Sequence, residues 1–143
     1  MKTAGQLLVE KQNIGIHSVP PDASIYAALE LMAAQDIGAV LVIDEGSMVG
    51  IFSERDYARK IVLKGKNSTD TRMYEVMTQK IFYVSPHNTM DECMHIMSQK
   101  RIRHLPVLEQ GEVLGVLSIT DMVRETIAEQ QFVIEQLEKY ISQ

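Results

Sequence analysis

The sequence predicts a mixed α/β fold: two strand-helix-strand-strand-helix repeats packed about an approximate twofold axis, followed by a C-terminal helix extension. Three observations lead there. Shifted by 65 positions, Ile16–Arg59 aligns on Ile81–Arg124 without a gap, and 11 of the 44 pairs are identical, which marks an internal duplication. Helix-like and strand-like hydrophobic patterns follow one another in the same order in both copies. The chain has 143 residues, 45% of them hydrophobic, enough for one ordinary domain or two halves sharing a core, whereas one copy alone buries too little surface. Two copies are too few for a propeller or a long solenoid.

The elements follow in order. "IHSVPPDASI" and "IFYVSPHNTM" each give a short extended segment, a proline turn, and Ser24 or Thr89 as helix cap. Ile25, Ala28, Leu29 and Met32 then fall at helical spacing, as do Met90, Cys93, Met94 and Met97 in the second copy, so each helix has one apolar face. "AVLVIDEGSMVGIFS" and "HLPVLEQGEVLGVLS" read as hairpins turning at Gly46 and Gly111. Asp56 and Asp121 open a further helix. The expected spans are a first repeat over 1–63, a polar linker over 64–72, a second repeat over 73–128 and a helical extension over 129–143. In the last segment Val123, Ile127, Ile134, Leu137 and Ile141 lie on a seam of three- and four-residue steps interrupted by Gln130. That pattern fits a helix packed back on its own domain or one paired with a second chain.

Composition narrows the function. With 14 Lys and Arg against 19 Asp and Glu, the net charge of −5 provides no general field for nucleic acid or an anionic membrane. The single Cys93 excludes an intrachain disulfide and a cysteine-built metal site. "MKTAGQLLVEKQ" lacks the apolar core of a signal peptide, and no run of 18 apolar residues occurs, so a cytoplasmic address is expected.

The most informative feature is the twice-used Gly-x-x-Ser-x-x-Asp of "GIFSERD" and "GVLSITD". A carboxylate at Asp56 or Asp121 can accept hydrogen bonds from both hydroxyls of a ribose. The preceding Ser53 or Ser118, with the free amides of the following helix, suits a phosphate. Gly50 and Gly115 would let backbone and ligand approach closely. The same tetrapeptide also reads as a capping box, in which Ser and Asp only satisfy helix amides. Taken alone, the tetrapeptide favours the cap.

Two copies of this motif, each behind a helix and a strand such as "RIRHLPV", with "SERDYARKIVLKGKNSTDT" and "YEVMT" between them, resemble a tandem pair of CBS domains, the arrangement called a Bateman module. The resemblance covers nearly the whole chain and is nearest to stand-alone bacterial and organellar forms. It implies an adenosine-containing ligand, such as AMP, ADP, ATP or NAD(H), with adenine between apolar side chains and main-chain groups. It implies a first cleft formed by Ile16, His17, Ile37, Gly38, Ala39, Ser53, Arg55 and Asp56. The second would comprise Thr78, Ile81, Tyr83, Ile102, Arg103, His104, Pro106, Ser118, Thr120 and Asp121. It further implies a flat homodimer and a separate, unidentified protein target.

The two copies differ in charge. Arg55 stands inside the first motif, whereas the second has Thr120 there and Arg101, Arg103 and His104 before its central strand, so the two sites should differ in ligand or affinity. Arg101 and Arg103 could equally be surface charges alternating along a strand. Lys64 and Lys66 in the linker could reach a second phosphate, though a solvated loop explains them as well. No metal site is expected, because His17, His87, His95 and His104 lack ligand spacing. Cys93 reads as a buried small hydrophobe and the methionines as core. No catalytic triad, Walker loop or dinucleotide fingerprint is present. A regulatory nucleotide sensor is the leading reading, a ligand-independent dimeric adaptor the alternative, and an enzyme the weakest, since no base or metal is in sight.

Overall fold

The computed structural model describes residues 2–11 and 15–142, so the extreme ends of the expected spans, and Gln12 of the N-terminal stretch, lie outside the described residues. The elements run α1 (Ala4–Glu10), β1 (Ser18–Val19), α2 (Ile25–Gln35), β2 (Ala39–Asp44), β3 (Ser47–Ser53), α3 (Glu54–Asp56), α4 (Met73–Val76), α5 (Met90–Lys100), β4 (His104–Glu109), β5 (Glu112–Ser118) and α6 (Ile119–Ser142). Helix α3 continues into wider turns over Tyr57–Val62, where Leu63 N–H reaches back five residues to Ala58 O at 3.0 Å and Lys66 N–H to Ile61 O at 2.9 Å. Such i→i+5 turns are rare.

The first repeat carries a three-stranded sheet in the order β1-β2-β3, with β1 parallel to β2 and β2 antiparallel to β3. Its core packs Ile25, Ala28 and Met32 of α2 against Val40, Val42 and Phe52 of the sheet, closed by Ile61, Met73 and Val76. The helix cap is Ser24, whose Oγ accepts from Ala27 N–H at 3.1 Å. In the second repeat the corresponding cap is Thr89, accepting from Glu92 N–H at 3.2 Å, and Met90, Cys93 and Met97 are buried with Leu105, Val107 and Leu117. His95 is exposed and Met94 only partly covered. Both hairpins turn through a positive-φ pair, Glu45-Gly46 and Gln110-Gly111, the twist that two-residue hairpin turns require.

In the second repeat the counterpart of β1 is a single parallel bridge, Val84 to Val107. Pro106 accounts for this. Leu41 N–H donates to His17 O at 3.2 Å in the first repeat, and the aligned Pro106 has no N–H to donate. Arg101 also departs from the expected strand alternation. It is the left-handed C-cap of α5 at φ 53, as Asp36 is of α2 at φ 52, and the strand begins only at His104.

Two compact units result, one of residues 2–11, 83–108 and 115–142, the other of 15–82 and 109–114. The segment preceding each repeat in sequence lies in the same unit as the other repeat. Helix α1 joins the second repeat through Ala4 N–H to Asn88 O (2.8 Å), Gly5 N–H to Pro86 O (2.9 Å) and Met90 N–H to Lys2 O (3.0 Å). Helix α4 joins the first through Met73 N–H to Ala23 O (2.8 Å), Tyr74 N–H to Pro21 O (2.9 Å) and Ile25 N–H to Thr71 O (3.0 Å). These are the same three bonds at equivalent positions. Residues 2–11 and 71–80 are therefore a further pair of repeated segments, related by a shift of 69 rather than 65.

Helix α6 is continuous over 24 residues. Met122 is its only residue classed as buried, and every residue from Ile127 to Ser142 is exposed. The reading of a helix packed back on its own domain does not hold for that stretch.

Candidate functional site

Each repeat brings its motif to the point where the last strand turns into a helix. In the first, Ala39 pairs with Ser53, and Gly38 O accepts from Glu54 N–H at 3.0 Å. The parallel ladder of β1 on β2 begins at Ser18–Leu41, and Ile16, two residues before it, is exposed. Four of the expected first-cleft residues, Gly38, Ala39, Ser53 and Asp56, are thus gathered at one end of the sheet. Ile37 packs on the core, and His17 Nε2 is buried with no hydrogen-bond partner among the described residues. In the second repeat Arg103 O accepts from Ile119 N–H at 2.9 Å, the equivalent bond. Pro106 is buried in the strand, its carbonyl accepting from Val84 N–H at 3.0 Å. Tyr83 and Thr120 are exposed and Ile81 and Ile102 half-buried.

The capping hydrogen bonds form in both copies. Ser53 N–H donates to Asp56 Oδ2 at 3.0 Å, and Asp56 N–H to Ser53 Oγ at 3.2 Å. Ser118 N–H donates to Asp121 Oδ2 at 2.7 Å, and Asp121 N–H to Ser118 Oγ at 3.2 Å. The Oδ2 atoms are therefore engaged locally. The Oδ1 atoms are not held so closely: Asp56 Oδ1 has Lys60 Nζ and Thr78 Oγ1 at 3.5 Å, and Asp121 Oδ1 has Arg124 Nη1 at 3.5 Å.

Two lysines that the motif does not contain stand beside these carboxylates. Lys60 Nζ donates to Val76 O at 2.9 Å and Thr78 Oγ1 at 3.0 Å, next to Asp56. Lys11 Nζ donates to Val116 O at 2.7 Å and lies 2.9 Å from Asp121 Oδ2. The repeat position of Lys60 is held by Glu125 in the second copy, which pairs instead with Lys2 at 2.7 Å. The second copy thus takes its lysine from the N-terminal segment. Burial alone would raise the Asp121 carboxyl, but the Ser118 amide and the Lys11 ammonium outweigh it, and the net shift is below the ordinary carboxylate range.

Thr78 was expected in the second cleft; its hydroxyl lies beside Asp56, and its backbone bridges Ile51 of the first repeat. The glycines also take a different role. A Cβ on Gly50 would meet Met77 Sδ at 2.5 Å, and one on Gly115 would meet Leu8 Cδ2 at 2.8 Å. The space that glycine leaves is used by Met77 and Leu8, equivalent residues of the two repeated preceding segments. Lys64 and Lys66 are exposed on a turn at Gly65, φ 65, and Arg55 is exposed on α3. Lys60 was legible as the residue four places beyond Asp56, whereas nothing in the sequence marks Lys11. Among the described residues no cluster of His, Cys, Asp and Glu could hold a metal ion, and no helix is long and apolar enough to cross a membrane.

Comparison with known proteins agrees with this architecture. The CBS domain profile matches residues 12–63 and 73–127. The mitochondrial CBS domain-containing protein CBSX3 of Arabidopsis thaliana is 34% identical over 125 residues, 84% of this chain and 61% of that protein. The longer Arabidopsis relative CBSCBSPB5 is matched over 22% of its length, so the chain spans about three fifths of the first relative and about a fifth of the second. A solved CBS-domain protein from Burkholderia ambifaria is 45% identical, with a TM-score of 0.87 over 90% of this chain and 96% of that one. The CBS domain pair of protein MJ0100, solved in complex with 5-methylthioadenosine and S-adenosyl-L-methionine, shares the fold at 21% identity and a TM-score of 0.79, over 90% of this chain and 98% of that one. The chain accordingly belongs to the CBS-domain family, as a pair of CBS domains.

Proposed function

We propose that the chain is a regulatory module that binds an adenosine-containing ligand at Ser53–Asp56, at Ser118–Asp121, or at both. The observation that carries this reading is the division of labour in each carboxylate. Oδ2 accepts from a serine amide, while Oδ1 is approached at 3.5 Å by Lys60 and Thr78 in the first copy and by Arg124 in the second. An ionised oxygen with acceptor capacity in reserve suits ribose hydroxyls, and Lys60 and Lys11 supply positive charge for a phosphate. The complex of the MJ0100 pair with two adenosine-containing molecules supports the ligand class.

In this reading the ligand is AMP, ADP, ATP or NAD(H), and occupancy is passed by conformational change to a separate protein. Such coupling requires the ligand to prefer one state of the module, since equal affinity for both shifts nothing. The module acts as a homodimer in the cytoplasm, by binding rather than catalysis.

The completed capping boxes favour a second reading, a ligand-independent adaptor in which Ser and Asp serve only the helix ends. A thermal-shift panel of AMP, ADP, ATP, NADH and S-adenosylmethionine, with guanosine nucleotides as controls, separates the two. A ligand at a hundred times its Kd stabilises by ~2.7 kcal/mol, and Asp121→Ala should weaken its binding by ~1.5–3 kcal/mol. No shift with nucleotide-free protein would support the adaptor.

A further inference from the structure

We propose that residues 123–141 of α6 form an antiparallel helix pair with the same segment of a second copy of the chain. This rests on the homodimer reading above and gives it an interface. Val123, Ile127, Ile134, Leu137 and Ile141 are 47–81% exposed, although such residues are ordinarily covered. With Gln130 they step by 4, 3, 4, 3 and 4, the a/d seam of a coiled coil, with isoleucine at a (127, 134, 141) and Val123, Gln130 and Leu137 at d. That narrow stripe matches another helix of the same kind. A membrane surface is a poor occupant, because outside the seam Glu129, Glu135 and Glu138 outnumber Lys139, whereas interfacial helices carry Lys and Arg there.

The flanking positions select the direction. Arg124, Gln131 and Glu138 lie at e, and Thr126, Val133 and Tyr140 at g. In a parallel pair e faces g of the partner, which would set Glu138 against Val133. In an antiparallel pair e faces e and g faces g. Arg124 then meets Glu138 twice by symmetry, and Val133 meets its own copy beside the twofold axis. The layers become Val123 with Ile141, Ile127 with Leu137 and Gln130 with Ile134. The Arg124 side chain is 71% exposed, and its nearest acidic neighbour is Asp121 at 3.5 Å, so it can reach across.

Sedimentation velocity on the full chain tests the pair. The unaltered protein should be a dimer and Ile134→Glu/Leu137→Glu a monomer, with unchanged circular dichroism because both positions are solvent-facing within the chain. Mild oxidation of Val133→Cys should give a covalent dimer; the unaltered protein, whose only thiol is the buried Cys93, should not. A monomeric unaltered protein would overturn both this interface and the homodimer reading. A dimer that survives the double substitution would overturn the interface alone. Crosslinking through Gln130→Cys but not Val133→Cys would overturn the antiparallel direction. Should the double variant fail to fold, the Val133→Cys crosslink decides by itself.

Discussion

Replacing Lys11 by Met should destabilise the second repeat through Asp121, and a double-mutant cycle with Asp121→Asn isolates that link. Met keeps the apolar stem of the lysine, and Asn keeps an acceptor for the Ser118 amide, so the cycle removes charge with little change of shape. Lys11 Nζ lies 2.9 Å from Asp121 Oδ2, with the two side chains 24% and 12% exposed. At that distance and an effective dielectric near 20, the gross attraction is roughly 6 kcal/mol. Desolvation of both groups and the ordering of a long side chain cancel most of it, and a charge-assisted hydrogen bond retains about 1.5–3 kcal/mol. The expected coupling is therefore about 2 kcal/mol by urea unfolding at neutral pH, with protein concentration held fixed because any self-association would also stabilise. The pH dependence gives a second check. The Asp121 carboxyl titrates below its ordinary value of 3.8 in the folded chain, so its contribution is complete above that value and is lost as pH falls through and below it. The advantage over Asp121→Asn should be full at neutral pH and shrink toward zero at strongly acidic pH. A coupling under about 0.5 kcal/mol, or an advantage that grows on acidification, would refute the assignment of Lys11.

Two further outcomes follow from the packing. Gly115→Ala should lower stability by up to about 1 kcal/mol, since its Cβ would stand 2.8 Å from Leu8 Cδ2, the mobile end of a side chain that must shift, and Leu8→Ala in the same chain should reduce that penalty; a Gly115→Ala that raises stability would contradict the close approach. The Cys93 thiol is pushed up to about 11, first by burial and then by the Glu92 charge, so at pH 8 only on the order of a thousandth is thiolate. Ellman's reagent should label it at least a hundredfold more slowly in the native protein than in urea, and equal rates would show that it is accessible.

Much of the fold was legible because its signals are local. Helix caps, the apolar faces of α2 and α5, the hairpin turns at Gly46 and Gly111 and the duplicated Ser-x-x-Asp are set by neighbours three or four residues apart, and that is where they form. The capping geometry of Asp56 and Asp121 was likewise written in the motif. What the sequence could not show was which distant segment completes each unit. Residues 2–11 and 71–80 match at one position in ten, Lys11 with Lys80, because their equivalence lies in backbone hydrogen bonds and in which side chain fills the space over a glycine, neither of which fixes a residue type. Thr78 moved to Asp56, and Lys11 entered the site of Asp121, for that reason. The sequence by itself determined the repeat and the chemistry of its carboxylates. Lys60, four residues beyond Asp56, was within reach of the sequence, but only the tertiary structure decided that Lys11 stands beside Asp121, since that depends on how the chain returns across more than a hundred residues.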